Sequence, residues 1–151
     1  MTKQKLQEEL KQSMLSRDEL RTSVLRLLLS AINYYEIQKG GAGYTASEED
    51  VLAVVQKEAK QRRDSIAEFE KANRTDLADK EQKELDILQA FLPEQMGEDE
   101  VRSIVEQTIT ETGTSSMQDM GKVMGTLNGK LKGKADMGFV SEIVRSKLTS
   151  V

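Results

Sequence analysis

Between Leu20 and Tyr35 the chain reads LRTSVLRLLLSAINYY, and this run decides the fold class. Its apolar positions Leu20, Val24, Leu27, Leu28, Ala31 and Tyr35 follow an i, i+4, i+7, i+8, i+11, i+15 pattern, the period of an α-helix. Leu25, Leu29 and Ile32 widen the stripe, so this helix is expected to be the most buried of the set. Ser16 and Glu19 have the spacing of a capping box and predict its start. Gly40, Gly41 and Gly43 predict its end.

Working outward, six more helices are expected. One precedes it, over roughly Lys3 to Leu15. Downstream, Thr45 and Glu48 predict the cap of a third helix that runs to about Lys71. Asn73 is read as its left-handed terminator, and Thr75 as the cap of a fourth helix continuing to Leu92. The short break predicts an antiparallel hairpin. Pro93 then ends the helix, and Glu94 to Gly97 read as a linker. The expected domains are therefore 1–93 and 94–151. In the second, a fifth helix spans Glu98 to Thr112 and closes at Gly113. Ser115 or Ser116 caps a sixth, with Met117, Met120, Val123, Met124 and Leu127 on one face. After a glycine- and lysine-rich loop, Asp136 caps a seventh, which turns Phe139, Ile143, Val144 and Leu148 inward. The fold class is all-α: about four helices, then a small three-helix domain whose modest core uses methionine as adaptable filler.

Composition agrees, and it removes most chemistry. The 151 residues are 37% hydrophobic and 32% charged, with 4% aromatics and a single proline, which favours helices packed through aliphatic side chains over a β-sandwich. So few rings also argue against a stacking platform for single-stranded nucleic acid. There is no cysteine, which excludes disulfides, zinc fingers and iron–sulfur clusters. There is no histidine, the usual general base near neutral pH and the commonest metal ligand. No catalytic residue, metal or cofactor is expected. The longest leading apolar run, Leu27 to Leu29, is too short for a signal peptide or a membrane span, so no membrane association and a cytosolic placement are expected.

The net charge of −4 means that any attraction to polyanions must come from a local patch. One exists. Lys122, Lys130, Lys132 and Lys134 are the only charges between Asp119 and Asp136. The segment leads to a helix N-terminus, which favours anions, and its glycines let backbone approach a phosphate. A solvated loop with Asp136 occupying the cap amides is the plainer alternative. The segment is not a nucleotide P-loop: Gly125 to Gly129-Lys130 and Gly129 to Gly133-Lys134 have three intervening residues instead of four, and no Ser or Thr follows either lysine.

On the third helix, Arg62 falls within the stripe of Val51, Val55, Ile66 and Phe69, while Arg63 points to the polar side. A cation on an apolar face needs a carboxylate, and Glu84 or Glu81 comes opposite in the hairpin. Arg63 is the better candidate for an RNA contact. The acidic groups Glu8-Glu9, Glu48-Glu49-Asp50 and Glu98-Asp99-Glu100 fit first turns of helices, where they complement the dipole, and do not point to acid–base catalysis.

Two long runs, QRRDSIAEFEKANRTDLADKE from Gln61 to Glu81 and ELDILQAFLPEQM from Glu84 to Met96, resemble the GatB/YqeY family, as do DMGKVMG from Asp119 and KLKGKAD from Lys130. The resemblance covers essentially the whole chain for the stand-alone YqeY-like branch. From about Glu98 onward it extends to the tail of the B subunit of glutamine-dependent aminoacyl-tRNA amidotransferases. It implies an all-helical protein with a small C-terminal domain that helps hold tRNA, and by match to the tail motif it assigns Lys122, Lys130, Lys132 and Lys134 to tRNA contact. Gly121, Gly125 and Gly133 would allow close backbone approach. The chain contains neither the kinase-like cradle nor the amidase domain of those enzymes, so family-level carbon–nitrogen ligase activity is not expected of it alone. The expected function is a non-catalytic tRNA-handling accessory protein. A helical protein–protein adaptor that binds no RNA is the alternative.

Overall fold

A computed structural model describes residues 1–149, and these form two compact units, Met1–Leu92 and the described part of Pro93–Val151. The last two residues assigned to the C-terminal domain lie outside the described residues. Every regular element among the described residues is helical, so the all-α expectation holds.

The N-terminal unit contains α1 (Lys3–Leu15), α2 (Glu19–Gly40), α3 (Glu48–Lys71) and α4 (Thr75–Gln89), with a 3-10 turn at Gly41–Gly43. The chain pairs α1 with α2 and α3 with α4, and α2 packs against both helices of the second pair. Leu25, Leu28 and Ile32 of α2 are fully buried with Leu6 of α1, Val51 and Val55 of α3, and Leu88 of α4. The α1–α2 hairpin is also pinned by a buried hydroxyl pair, in which Thr22 Oγ1 donates to Ser13 Oγ at 2.9 Å and Ser13 Oγ donates onward to the Leu10 carbonyl at 2.8 Å.

Several boundaries differ from the sequence reading, each for a local reason. Asp18, not Ser16, caps α2, its carboxylate accepting from the Arg21 amide at 3.0 Å. Ser16 closes α1 instead, and its hydroxyl donates to the Ser13 carbonyl. Arg17, at φ 59°, separates the two helices, so only the residue after it is placed to cap the next. Helix α3 is capped by Ser47 in a reciprocal box with Asp50, displacing Thr45 from that role. Asn73 does sit in the left-handed region, at φ 54°, and Arg74 rather than Thr75 occupies the α4 cap position. Helix α4 ends at Gln89, short of Leu92, because Pro93 has no N–H to donate to the Gln89 carbonyl four residues back and its ring crowds that carbonyl. Tighter i to i−3 bonds at Phe91 and Leu92 finish the chain there, at 3.0 and 3.1 Å.

The C-terminal unit packs α5 (Glu98–Thr112), α6 (Met120–Leu131) and α7 (Met137–Thr149) around Val101, Val105, Val123, Leu127, Leu131, Val140 and Val144, all fully buried or nearly so. Gly113 takes a left-handed φ of 63° and ends α5 as its position predicts. A 3-10 turn at Met117–Asp119 leads into α6, with Ser116 before it. Helix α6 extends further than expected, through Leu131, and absorbs much of the segment read as a loop.

In the α3–α4 hairpin, Arg62 lies between two carboxylates. Its Nε donates to Glu84 Oε2 at 3.0 Å, and Glu81 Oε2 sits 3.3 Å away. That second oxygen is enclosed and makes no hydrogen bond, so charge alone holds it. Removing the cation would leave two poorly solvated carboxylates facing each other. Arg62→Leu is therefore expected to lower unfolding free energy by about 3 kcal/mol in a urea titration. Lys60→Ala, which breaks an exposed pair with Asp64, is expected to change it by less than about 0.5 kcal/mol.

Candidate functional site

The lysine segment occupies one stretch of the C-terminal unit, but its four cations are not equivalent. Lys122 projects to solvent from the first turn of α6. Lys130, in the last turn, donates to Glu111 Oε2 at 3.0 Å and to Thr108 Oγ1 at 3.2 Å, both on α5. That contact, followed by an amide from Gln107, holds the Glu111 carboxyl below the usual carboxylate range. Lys132 caps the helix and is also engaged within the chain. Lys134 is exposed, and its side chain makes no ion pair among the described residues.

The glycines also divide. Gly121 and Gly125 lie one turn apart on the exposed side of α6, and a Cβ at either would meet nothing within 4 Å. Gly133 is different: it is buried, with φ 85°, and its carbonyl accepts from Gln95 Nε2 at 2.8 Å. The neighbouring Lys134 carbonyl accepts the Met96 amide at 2.9 Å. Gly133 thus shapes a buttressed turn and is not open to a phosphate. The α7 N-terminus is partly occupied as well, since Asp136 Oδ1 accepts the Gly138 amide at 2.8 Å. What faces solvent is a helix edge built from Lys122, Gly121 and Gly125, with Lys134 on the following turn. Two carboxylates neighbour that turn: Lys134 lines a cleft of about 330 Å³ together with Glu94 and Glu100.

In the N-terminal unit, Arg63 is half-buried on α3 and makes no ion pair among the described residues. It lies next to Arg62 in sequence, but Arg62 is committed to Glu84 and Glu81. Among the described residues no group of three His, Cys, Asp or Glu side chains is placed to hold a metal ion.

A polar network that the sequence reading treated as a simple helix-start charge joins α2 to α3. Asp50 is buried. Its Oδ1 accepts from Lys39 Nζ at 2.5 Å and from the Tyr35 hydroxyl at 2.9 Å. Its Oδ2 accepts from the Tyr44 hydroxyl at 2.6 Å, the Ser47 hydroxyl at 2.8 Å and the Ser47 amide at 2.9 Å. Lys39 also lies over both phenol rings, 5.4 and 5.3 Å from their centroids. The signal was present in part: Ser47 and Asp50 have capping-box spacing, and Tyr35 and Lys39 are one helical turn apart. Glu36 adds a second tie, accepting from Lys3 Nζ at 2.6 Å and the Ala46 amide at 2.8 Å.

A model of the Yqey-like protein family matches residues 3–148. The chain belongs to that family. Curated proteins are similar to the chain over most of its length. A protein of Vanderwaltozyma polyspora called "Altered inheritance of mitochondria protein 41, mitochondrial" is 28% identical over 97% of this chain and 81% of its own length. Proteins of the same name from Pyrenophora tritici-repentis and Saccharomyces cerevisiae are each 31% identical, the former over 93% of this chain and 77% of its own length, the latter over 83% and 69%. These relatives are named as mitochondrial, which corrects the cytosolic placement expected from the sequence. That expectation rested on the lack of a long apolar run, and no helix among the described residues is long and apolar enough to cross a membrane. Such a test detects spans and secretory leaders and is blind to the difference between two aqueous compartments.

The Asp50 network yields a pH prediction. Lys39 first, then Tyr44 and Ser47, hold the Asp50 carboxyl far below its ordinary value of 3.8. A depressed folded value means that the contribution to stability is complete above 3.8 and is lost as pH falls through the lower folded value. Asp50→Asn is expected to be less stable than wild type at neutral pH. The gap should narrow progressively as pH falls below 3.8 in thermal melts followed by circular dichroism.

Proposed function

We propose that this chain is a non-catalytic tRNA-handling protein whose C-terminal unit contacts the phosphate backbone along α6. The observation that carries the reading is the charge distribution: four lysines with no acidic residue between Asp119 and Asp136, in a chain of net charge −4. Lys122 and Lys134 are exposed and supply the first contacts. The pair between Lys130 and Glu111 involves two half-exposed side chains, 40% and 50% accessible, so water already screens it and a phosphate can replace the carboxylate at little cost. Gly121 and Gly125 leave the α6 backbone uncovered beside Lys122, where a sugar–phosphate chain can approach closely. The likeness of DMGKVMG and KLKGKAD to the amidotransferase tail supports tRNA over other polyanions.

Filter binding of unfractionated tRNA at two or more salt concentrations tests this. Binding is expected to weaken with salt, with a log–log slope of about −2 to −4 if three or four phosphates are neutralised. The double variant Lys122→Ala, Lys134→Ala should reduce the magnitude of that slope by about one per lysine removed. Absence of binding even at low salt would retire the RNA reading and leave the helical adaptor.

A further inference from the structure

We propose that the outward face of α2, with the cleft at its N-terminal end, docks an acidic amphipathic helix of a partner protein. A surface helix is ordinarily apolar on one side and polar on the other. Helix α2 is apolar on two opposite sides. Val24, Leu25, Leu28, Leu29 and Ile32 are buried in the core of the N-terminal unit. About half a turn around the axis, Leu27, Tyr34 and Ile37 are 51%, 65% and 62% exposed, and Leu20 is 37% exposed. Leu20, Leu27 and Tyr34 recur every seven residues, a spacing that drifts only about 20° per repeat on a straight helix. The stretch from Leu27 to Ile37 is about 15 Å long at 1.5 Å per residue. A seven-residue apolar seam is what an opposing helix packs against.

The charges beside the seam say which helix fits. At its N-terminal end Met14, itself 52% exposed, and Leu27 wall a cleft of about 600 Å³ with Arg17 and Arg26 at its edge. Arg21, Arg62 and Arg74 each have a carboxylate partner. Among the described residues Arg17 and Arg26 have none; the only polar contact of Arg26 is the Met14 sulfur, at 4.0 Å. Arg17 also holds a left-handed φ of 59°, a conformation that glycine adopts without the steric cost of a Cβ. One acidic residue, Glu19, lines the same cleft. Two free cations over an exposed apolar wall, in a chain of net charge −4, complement glutamate or aspartate flanking a leucine-rich seam. A second copy docked parallel to the first would bring both pairs of arginines together, so like charges oppose that pairing.

This surface lies in the N-terminal unit and does not depend on RNA binding by the C-terminal one. The test is fluorescence anisotropy on the full chain with two labelled three-heptad peptides, leucine at the seam of each and glutamate or lysine at the flanks. The glutamate peptide is expected to bind and the lysine peptide not to bind. The double variant Leu27→Ser, Tyr34→Ser should weaken binding by about tenfold or more while leaving tRNA binding unchanged. Arg17→Gly should bind the peptide more weakly and yet unfold at a denaturant concentration equal to or above that of wild type, since it removes a charge and relieves the backbone together. No binding of the glutamate peptide, equal binding of both peptides, or an affinity unmoved by the seam variant would overturn the proposal. So would a dimer in sedimentation equilibrium that the seam variant dissociates, because a second copy would then cover the face.

Discussion

Helix α2 must pack against three other helices at once, and the N-terminal unit is organised around that requirement. Its buried face receives α1 from one hairpin and both α3 and α4 from the other, so Leu25, Leu28 and Ile32 serve as a shared floor. Apolar burial alone would let the hairpins slide over such a floor, since it is not directional. Direction comes from polar contacts at the edges. Ser13 and Thr22 tie α1 to α2, the Asp50 network ties the C-terminal end of α2 to the start of α3, and Arg62 ties α3 to α4. Each of these is enclosed enough that a shift in register would leave a donor or a carboxylate without a partner.

The Asp50 carboxylate shows how much one capping residue can organise. Its box with Ser47 would satisfy a helix start by itself. Here the same two oxygens also receive an ammonium and two phenols carried by α2 and the turn that follows it. The 3-10 turn at Gly41–Gly43 is held in place by this contact, although none of its own side chains is buried. Gly40 fits closely there as well, since a Cβ would come within 2.7 Å of Tyr44. The glycines after α2 therefore form a shaped corner, more specific than the flexible connection their composition implies.

Much of the fold is legible in the sequence because its signals are local. Asn73, Pro93 and Gly113 act on their immediate neighbours, and the helices they end are found near the places they indicate. Arg62 displays its need for a partner, since a cation within an apolar stripe cannot be left alone, and Glu81 and Glu84 meet that need in the structure. Periodicity is weaker where apolar residues surround a helix. Leu20 and Leu27 read as core positions, yet the covered side of α2 is the one centred on Leu25, Leu28 and Ile32. Which side a neighbour covers is a tertiary fact that the pattern of one helix does not contain. The same holds for the lysine segment, where the counter-charge of Lys130 is Glu111 on another helix and the partner of the Gly133 carbonyl is Gln95, 38 residues away.

The two units thus present different surfaces, a lysine-bearing helix edge in one and an apolar seam bordered by arginines in the other. Amide chemical shifts of isotope-labelled full-length protein, followed as tRNA is added at low salt, separate them most directly. The tRNA role requires that the changes cluster from Gly121 to Asp136 and leave the outward face of α2 unmoved. Changes centred on Leu27 and Tyr34, or no changes at all, would contradict it.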